Sequence, residues 1–270
     1  MTAARRSALV TAVVAVPGLF AVALALLGPF LAAGRSDRSS GAPFRRPGPG
    51  LALGADHLGR DVLAVLLDGG TTLVLLPVLA TLLGTAVGVA LGLLTGWYPG
   101  RAAAAVTRAG ELLLAIPPLL LTVLAVYAFA DSGLAVLVSV VALLGVPATV
   151  RYARAATVTV AGRGYVDHAV ALGESTPAVL VREVLPAMLG PVLADAGLRL
   201  VAAVYVVASL GFLGVIDAGD AGWAGMIADN ITGAGLNVWA VLAPAACIVA
   251  FAVSVNLVAD RLADRFRRSG

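Results

Sequence analysis

The stretch GYVDHAVALGESTPAVLVREVLP, residues Gly164–Pro186, organises the second half of the chain and is its longest polar interruption. Tyr165–Leu172 is predicted to form a short helix that ends at Gly173, because glycine adopts the left-handed cap conformation without a Cβ clash. Thr176 then offers an N-cap hydroxyl, and Pro177 suits the first turn of a second helix. On this pattern alone, two helices separated by a glycine and an ordinary loop helix are about equally favoured. The rest of the chain decides between them.

The second of these helices is predicted to be amphipathic. Its apolar residues share one face and its two charged residues lie off that face. The apolar set is Leu180, Val181, Val184 and Leu185, and the charged pair is Arg182 and Glu183. We therefore expect one face to pack against neighbouring helices.

The whole chain is too apolar for a water-soluble domain. Its 270 residues are 60% hydrophobic and 12% charged, with a mean hydropathy of +1.01, whereas soluble domains carry about 25% charged residues. A bilayer core of about 30 Å requires roughly 20 apolar residues per spanning helix, so the length allows about six spans. The fold class is predicted to be an all-α polytopic membrane protein.

The residue types exclude several functions. All 18 basic residues are arginine, so the chain has neither a Walker A lysine nor a Schiff-base lysine. A single cysteine, Cys247, and two distant histidines, His57 and His168, argue against a disulfide and a metal centre. No Ser-His-Asp, HExxH or CxxC arrangement is present, so we expect no catalytic residue, metal site or cofactor in this chain. The pI of about 9.5 comes from arginines at membrane margins and does not indicate nucleic-acid binding.

Six apolar runs are predicted to cross the membrane: Ala8–Ala33, Thr71–Thr95, Leu112–Ala130, Leu134–Val150, Pro191–Leu213 and Val238–Ala259. Arginines before the first run, after the fourth and after the sixth place both termini and the Gly164–Pro186 stretch in the cytoplasm. A turn at Gly96–Arg108 is then cytoplasmic, and a turn at Asp131–Ser132 and the acidic stretch Val215–Asn237 lie outside. The predicted division is a first span at 1–33, an outer segment at 34–70, a core at 71–260 with the polar stretch at about 163–186, and a cytoplasmic tail at 261–270.

The outer segment Gly34–Asp68 has two predicted parts. Residues through Pro49 form an irregular linker, and HLGRDVLAVLLDG forms an amphipathic helix that leads into the second span. Five arginines stand here against four acids: Arg35, Arg38, Arg45, Arg46 and Arg60 against Asp37, Asp56, Asp61 and Asp68. This excess of positive charge outside conflicts with the positive-inside rule.

Three features inside the spans indicate close packing or a transport path. Gly84, Gly88 and Gly92 repeat every four residues, which lets another helix approach closely in lipid. Pro117–Pro118 is predicted to kink the third span. Asp195 and Arg199 lie one turn apart in the fifth span, and they either line a pathway or helix seam or form a self-neutralised pair near the inner interface.

Four blocks together resemble the inner-membrane permease subunit of ABC importers, in the branch of the second permease of dipeptide, oligopeptide and nickel systems. GADHLGRDVLAVLLDG is similar to the branch's GTDxLGRD segment, ELLLAIPPLLL to its DxLLAIPSLLL span, and SLGFLG with GWAGMIADN to its SFLGLG and EWGxMI segment. YVDHAVALGESTPAVLVREVLP resembles the cytoplasmic EAA signature. The resemblance runs from about Gly54 to the C-terminus.

The EAA resemblance assigns ATPase coupling to seven positions: Tyr165, Asp167, His168, Ala169, Gly173, Leu185 and Pro186. The sequence departs from the family's blocks in four places, three in the EAA signature and one in the outer segment. Asp167 replaces Glu, His168 replaces Ala, Glu183 occupies an apolar position that is filled one residue later by Val184, and Gly222 replaces an acid before Trp223. These departures put the exact substrate in question but not the fold.

The resemblance implies the type I ABC importer permease fold in a cell membrane, with six transmembrane helices and coupling helices that dock in a groove of an ATP-binding subunit. It implies a heterodimer with a homologous second permease, two ATP-binding subunits that hold ATP and Mg²⁺, an extracytoplasmic solute-binding protein and membrane lipid. Peptides are the expected solute, and nickel or a metal chelate is the alternative. An ion-coupled secondary transporter is an alternative from another class, but it would need intramembrane carboxylates or broken helices near mid-bilayer. A membrane scaffold without transport activity would not explain why the spans contain prolines and repeated glycines.

Overall fold

The computed structural model describes residues 3–32, 34–39, 41–129, 133–216 and 222–269, and these residues are mainly helical. The helices are α1 Ala3–Ala32, α2 Val62–Asp68, α3 Gly70–Trp97, α4 Arg101–Leu114, α5 Pro118–Ala128, α6 Leu134–Ala161, α7 Gly164–Ala171, α8 Thr176–Val179, α9 Leu185–Phe212, α10 Gly222–Asn230 and α11 Trp239–Ser269. A wide π-turn, Leu180–Val184, joins α8 to α9, and a 3₁₀ turn, Ile231–Gly233, follows α10. The predicted all-α class is confirmed.

Each of the six predicted spans corresponds to a helix or to a bent pair of helices. Among the described residues, four segments are long and apolar enough to cross a membrane: Val62–Trp97, Leu134–Ala161, Thr176–Phe212 and Trp239–Val258. The bent pair α4 and α5 is a fifth if the two helices count as one span, and the first predicted span corresponds to α1, whose apolar part Val16–Ala32 is shorter than these segments. The predicted outer turn at Asp131–Ser132 and the acids Asp217 and Asp220 lie outside the described residues.

The third span differs from its prediction, because it is broken and not merely kinked. Helix α4 ends at Leu114, α5 begins at Pro118, and their axes differ by 89°. Proline disfavours the α conformation in the residue before it, and Pro117, which precedes Pro118, is extended with φ −57° and ψ 125°. Two consecutive prolines therefore end one helix and start another. The predicted turn at Gly96–Arg108 is also wrong beyond Gly100, since Arg101–Leu114 is helical.

Two other helices are longer than predicted. Helix α6 continues past Val150 to Ala161, and α11 continues through the predicted tail at 261–270 as far as Ser269. The arginines after each run do not interrupt these helices, because arginine is itself a good helix former. The tail is therefore an extension of the last helix.

The described residues separate into two compact units, 1–77 with 204–258 and 78–203 with 259–270. In the first unit, the outer segment is fixed by side chains far away in sequence. Asn237 Nδ2 donates to the carbonyls of Leu53 and Ala55, at 3.0 Å each. Asn230 Oδ1 accepts from the amide of His57 at 2.8 Å. Residues 53–57, which follow the predicted linker, are therefore held by specific hydrogen bonds.

The LGRD block forms a tight turn around Asp56, which is fully buried. Its Oδ1 accepts from the amides of Leu58 and Arg60, at 2.9 and 2.8 Å, and its Oδ2 accepts from Arg60 Nε at 2.7 Å. Gly59 has φ +74°, and Asp61 then caps α2 by accepting from the amide of Leu63. The predicted lead-in helix is therefore present only over Val62–Asp68, since residues 57–61 form the turn before it.

Local contacts of two arginines lessen the conflict between the positive charge of the outer segment and the positive-inside rule. Arg60 is paired with Asp56, and Arg35 donates from Nε and Nη2 to the carbonyls of Ala32 and Leu31 at the end of α1. Cations stabilise the carbonyl end of a helix. Two of the five outer arginines therefore have local structural partners.

In the second unit, α3 and α6 pack closely along the predicted glycine repeat. A Cβ added at Gly84 would lie 2.6 Å from the carbonyl oxygen of Ala142, and one at Gly88 would lie 2.6 Å from Thr149 Cβ. Gly96 continues the pattern against Thr157. The expectation of a partner helix on this face is confirmed, since only glycine allows the two backbones to come so near.

Candidate functional site

Helix α7 ends as the sequence predicts. Gly173 has φ +81° and its amide donates to the carbonyl of Val170, while the amide of Glu174 donates to Ala169. These two bonds make a Schellman cap, which satisfies the last carbonyls of a helix. The start of α8 differs by one residue, because Ser175 and not Thr176 is its N-cap, and no side-chain capping bond forms.

One face of this helix pair is part of the core of the second unit. Val166, Val179 and Val184 are at most 1% exposed. They pack in one cluster with Ala169 of α7, Leu180 of the wide turn, and residues of α6 and α9. The α6 and α9 residues are Ala153, Val160, Met188 and Val192, and Val89, Leu93 and Trp97 of α3 lie at the edge of the cluster. Burying a valine of this kind contributes about 1.5 to 3 kcal/mol. The helix pair is therefore joined to three long helices through its side chains as well as its backbone.

The opposite face of α7 is open and carries large apolar side chains. Tyr165 is 43% exposed and Leu172 is 70% exposed. With the exposed His168 they follow i, i+3, i+7 spacing, which places them on one side of the helix. Val170 and Asp167 are also exposed. We name Tyr165, Asp167, His168, Val170 and Leu172 the outer face of α7.

The seven predicted coupling residues divide between these two faces. The exposed members, which a partner protein can reach, are Tyr165, Asp167, His168, Gly173 and Pro186. Ala169 is 8% exposed and belongs to the core cluster, and Leu185 packs partly against it. Ala169 therefore packs into the core, and Leu185 remains partly exposed. Val170 and Leu172 were not among the predicted coupling residues, although both are large apolar residues close to charged ones in the sequence.

The wide turn before α9 has a physical cause in Pro186. Inside an α-helix, proline clashes with the carbonyl four residues earlier, here that of Arg182. The amide of Leu185 instead donates to the carbonyl of Leu180, five residues earlier, which widens the helix directly before the proline. The extra residue turns Val184 into the core and leaves Val181 60% exposed. The predicted apolar face was thus wrong for Val181, and the shift explains why Glu183 occupies a position that is usually apolar.

A charged pair lies further along α9. Arg199 Nη2 and Nε donate to Asp195 Oδ1 at 3.2 and 3.4 Å. Asp195 is 8% exposed, and its Oδ2 accepts from Thr149 Oγ1 of α6 at 3.3 Å. Thr149 also faces Gly88 of α3. The carboxylate of Asp195 is therefore bound at a junction of three helices, while the side chain of Arg199 is 34% exposed.

Pro117 lies apart from this pair, at the break between α4 and α5. Beside α4, a groove of about 290 Å³ runs between that helix and α6. Its walls are apolar except for Thr107, Glu111 and Arg151. The break directs α5 away from α4, and both helices pack against α6.

Residues 88–268 match the family model described as "binding-protein-dependent transport system inner membrane component". The chain belongs to this family. The matched residues include α7, the wide turn and the charged pair, and the predicted family resemblance is confirmed. This chain is therefore a multi-pass membrane permease with the type I importer fold, a subunit without catalytic chemistry that works with other subunits of an ABC transporter.

Named relatives of this permease agree with the family assignment. A di/tripeptide transport system permease protein of Pseudomonas aeruginosa is 34% identical over 213 residues, which cover 78% of this chain and 70% of the relative. A probable peptide ABC transporter permease protein of Sinorhizobium fredii is 32% identical over 228 residues, covering 83% and 78%. An oligopeptide transport system permease protein of Mycobacterium tuberculosis is 29% identical over 262 residues, covering 96% and 90%.

Proposed function

We propose that this permease forms half of the transmembrane pathway of an ATP-driven importer of short peptides. The relatives quoted above are named for di- and tripeptides, peptides and oligopeptides, which supports peptides over nickel or a metal chelate. The other half is a homologous second permease. A solute-binding protein outside the membrane delivers the peptide, and two partner ATPases bind ATP and Mg²⁺.

The two-faced α7 is the observation that carries this proposal. Its inner face is packed into α3, α6 and α9, and its outer face presents Tyr165, Val170 and Leu172 among charged residues. Large apolar side chains surrounded by polar groups are typical of protein interaction sites. The outer face is therefore the docking surface for an ATPase, and both chain termini lie on the same, cytoplasmic side of the membrane.

The packing also supports a route for the movement. When the ATPases close and open around nucleotide, the outer face of α7 is displaced with them. Because tightly packed cores resist deformation, the buried valines make α6 and α9 move together with α7. The bond between Thr149 and Asp195 fastens α6 to α9 a second time. The spans then rock as a body, and the break at Pro117 gives the third span a place to bend.

A co-purification experiment tests the docking surface. We expect Leu172→Asp to prevent capture of the partner ATPase, because a charge replaces the most exposed apolar side chain of the outer face. Tyr98→Asp is the matched control, since Tyr98 is 56% exposed and is predicted to be cytoplasmic but lies outside the coupling segment. Equal capture by both variants would refute the docking surface. In the wild-type complex, ATP-dependent uptake of dialanine into proteoliposomes tests the peptide assignment directly.

A further inference from the structure

The position of Arg199 within α9 requires a polar surrounding for its charge. It lies 14 residues after Leu185 and 13 before Phe212 (199 − 185 and 212 − 199), which is about 20 Å from either end of the helix. The predicted span begins at Pro191, eight residues or about 12 Å before Arg199 (199 − 191), so the guanidinium lies within the apolar part of the helix. A charged residue at such a depth is costly unless it faces the bundle interior or a water-filled cavity. A self-neutralised pair near the inner interface, with Arg199 snorkelling, stays the alternative prediction.

The pairing with Asp195 is loose and incomplete. Its two distances, 3.2 and 3.4 Å, exceed the 2.7 to 2.9 Å range that is usual for a charged N–H···O bond. The structural pair Arg60–Asp56 of the same chain is closed at 2.7 Å. A guanidinium has five N–H donors, and both recorded bonds of Arg199 go to a single oxygen of Asp195. The remaining donors are available on a side chain that is one-third exposed.

Asp195, in contrast, is not available to a solute. Its side chain is 9% exposed, and its second oxygen accepts from Thr149 of the neighbouring helix. The hydrogen bonds to Asp195 thus fix the orientation of the Arg199 guanidinium. It also lowers the net charge of the pair towards zero, which weakens the attraction for an anion. Transport requires that kind of site, because a solute must bind well enough to enter and weakly enough to leave.

We propose that Arg199 contacts the carboxylate of a peptide in the transmembrane pathway, with Asp195 and Thr149 as positioning residues. The inference rests on the proposed function, because every linear peptide with a free C-terminus carries that group. The planar fork of arginine matches the two oxygens of a carboxylate. The competing arrangement is a dry contact between Arg199 and an acidic residue of the second permease.

Thiol labelling of the assembled transporter distinguishes the two arrangements. The only cysteine is Cys247, so the background is Cys247→Ala. In this background we expect Arg199→Cys to react with a membrane-impermeant methanethiosulfonate reagent. Saturating dialanine should protect it, and dialanine amide should not, because the amide lacks the carboxylate. Leu198→Cys is the depth-matched control on another side of the helix; Leu198 is 53% exposed, and we expect it to face lipid and remain unlabelled.

The proposal is overturned if Arg199→Cys is unreactive, if dialanine and its amide protect equally, or if Leu198→Cys reacts as fast. Transport provides a second readout that does not depend on the cysteine variant folding. Arg199→Lys keeps the charge but loses the fork, and we expect dialanine uptake to fall roughly tenfold to a hundredfold with the assembled complex retained. Unchanged uptake by Arg199→Lys would also overturn it. If the wild-type complex transports no peptide, the proposed function fails instead.

Discussion

The backbone amide of Leu185 donates to the carbonyl of Leu180, five residues earlier, immediately before Pro186. This single wide turn decides which side chains of the following helix face the core. It places Leu180, Val184 and Met188 in one buried row, each at most 8% exposed. An unbroken α-helix through Pro186 would lose a backbone bond and place the ring against a carbonyl. The proline thus determines the register of the packing as well as the shape of the turn.

The register predicts a large loss of stability from a substitution at one position and almost no change from one at its neighbour. Val184→Asp introduces an unpaired charge at a fully buried position, and we expect the free energy of unfolding to fall by roughly 3 kcal/mol or more. Glu183→Asp keeps a carboxylate at the adjacent, partly exposed position and should leave stability within about 0.5 kcal/mol. The melting temperature of the detergent-solubilised permease measures both. Equal melting temperatures would show that the wide turn does not set the register.

The close contact of α3 with α6 predicts that Gly88 tolerates no side chain. Gly88→Val would place its Cβ 2.6 Å from Thr149 Cβ, so we expect a loss of stability of about 1 to 3 kcal/mol or more from overpacking. Gly145→Ala on α6 is the control, because a Cβ there meets nothing within 4 Å, and it should raise helix stability by about 0.5 to 1 kcal/mol. Thermal denaturation in the same detergent compares the two. If Gly88→Val melts like the wild type, the helices are not in contact along this face.

The cap at Gly173 predicts a purely conformational effect. Its φ is +81° and no atom lies within 4 Å of an added Cβ. Gly173→Ala should therefore cost about 1 to 2 kcal/mol through the left-handed backbone alone, and Gly173→Asn should cost less, since asparagine visits that region more readily. Melting temperatures of the two variants give the order. The opposite order would mean that the cap is not left-handed in solution.

The buried pair in the outer segment predicts a stability effect that depends on burial. Asp56→Asn leaves Arg60 without its carboxylate and should destabilise the permease by roughly 3 kcal/mol. Asp37→Asn removes the same charge from an exposed position of the same segment, and we expect a change within about 0.5 kcal/mol. Limited proteolysis of the outer segment in intact membranes follows the loss of structure. Similar cleavage of both variants would contradict a structural role for Asp56.

Local features of the sequence were sufficient to predict much of the candidate site. Gly173 ends α7 in the expected way because a cap depends only on its neighbours in the chain. The lead-in helix, in contrast, was predicted to begin at His57, but the turn around Asp56 delays its start to Val62. The break at Pro117 was underestimated as a kink, although the restriction that Pro118 imposes on the preceding residue is also local.

Contacts between distant residues could not be predicted in this way. Trp223 Nε1 donates to the carbonyl of Leu66, 157 residues earlier, and Thr149 donates to Asp195, 46 residues later. No periodicity within either segment encodes such a pairing, because each depends on how separate helices meet. For the same reason, the sequence could not show that Ala169 faces inward while Leu172 faces outward.

The division of α7 into a buried and an open face separates two constraints that act on one short segment. Substitutions at Val166 or Ala169 affect the packing of this chain, whereas substitutions at Tyr165 or Leu172 affect only the proposed docking surface. A graft that exchanges the outer residues alone therefore offers a way to redirect the permease to the ATPase of another importer without rebuilding its membrane domain.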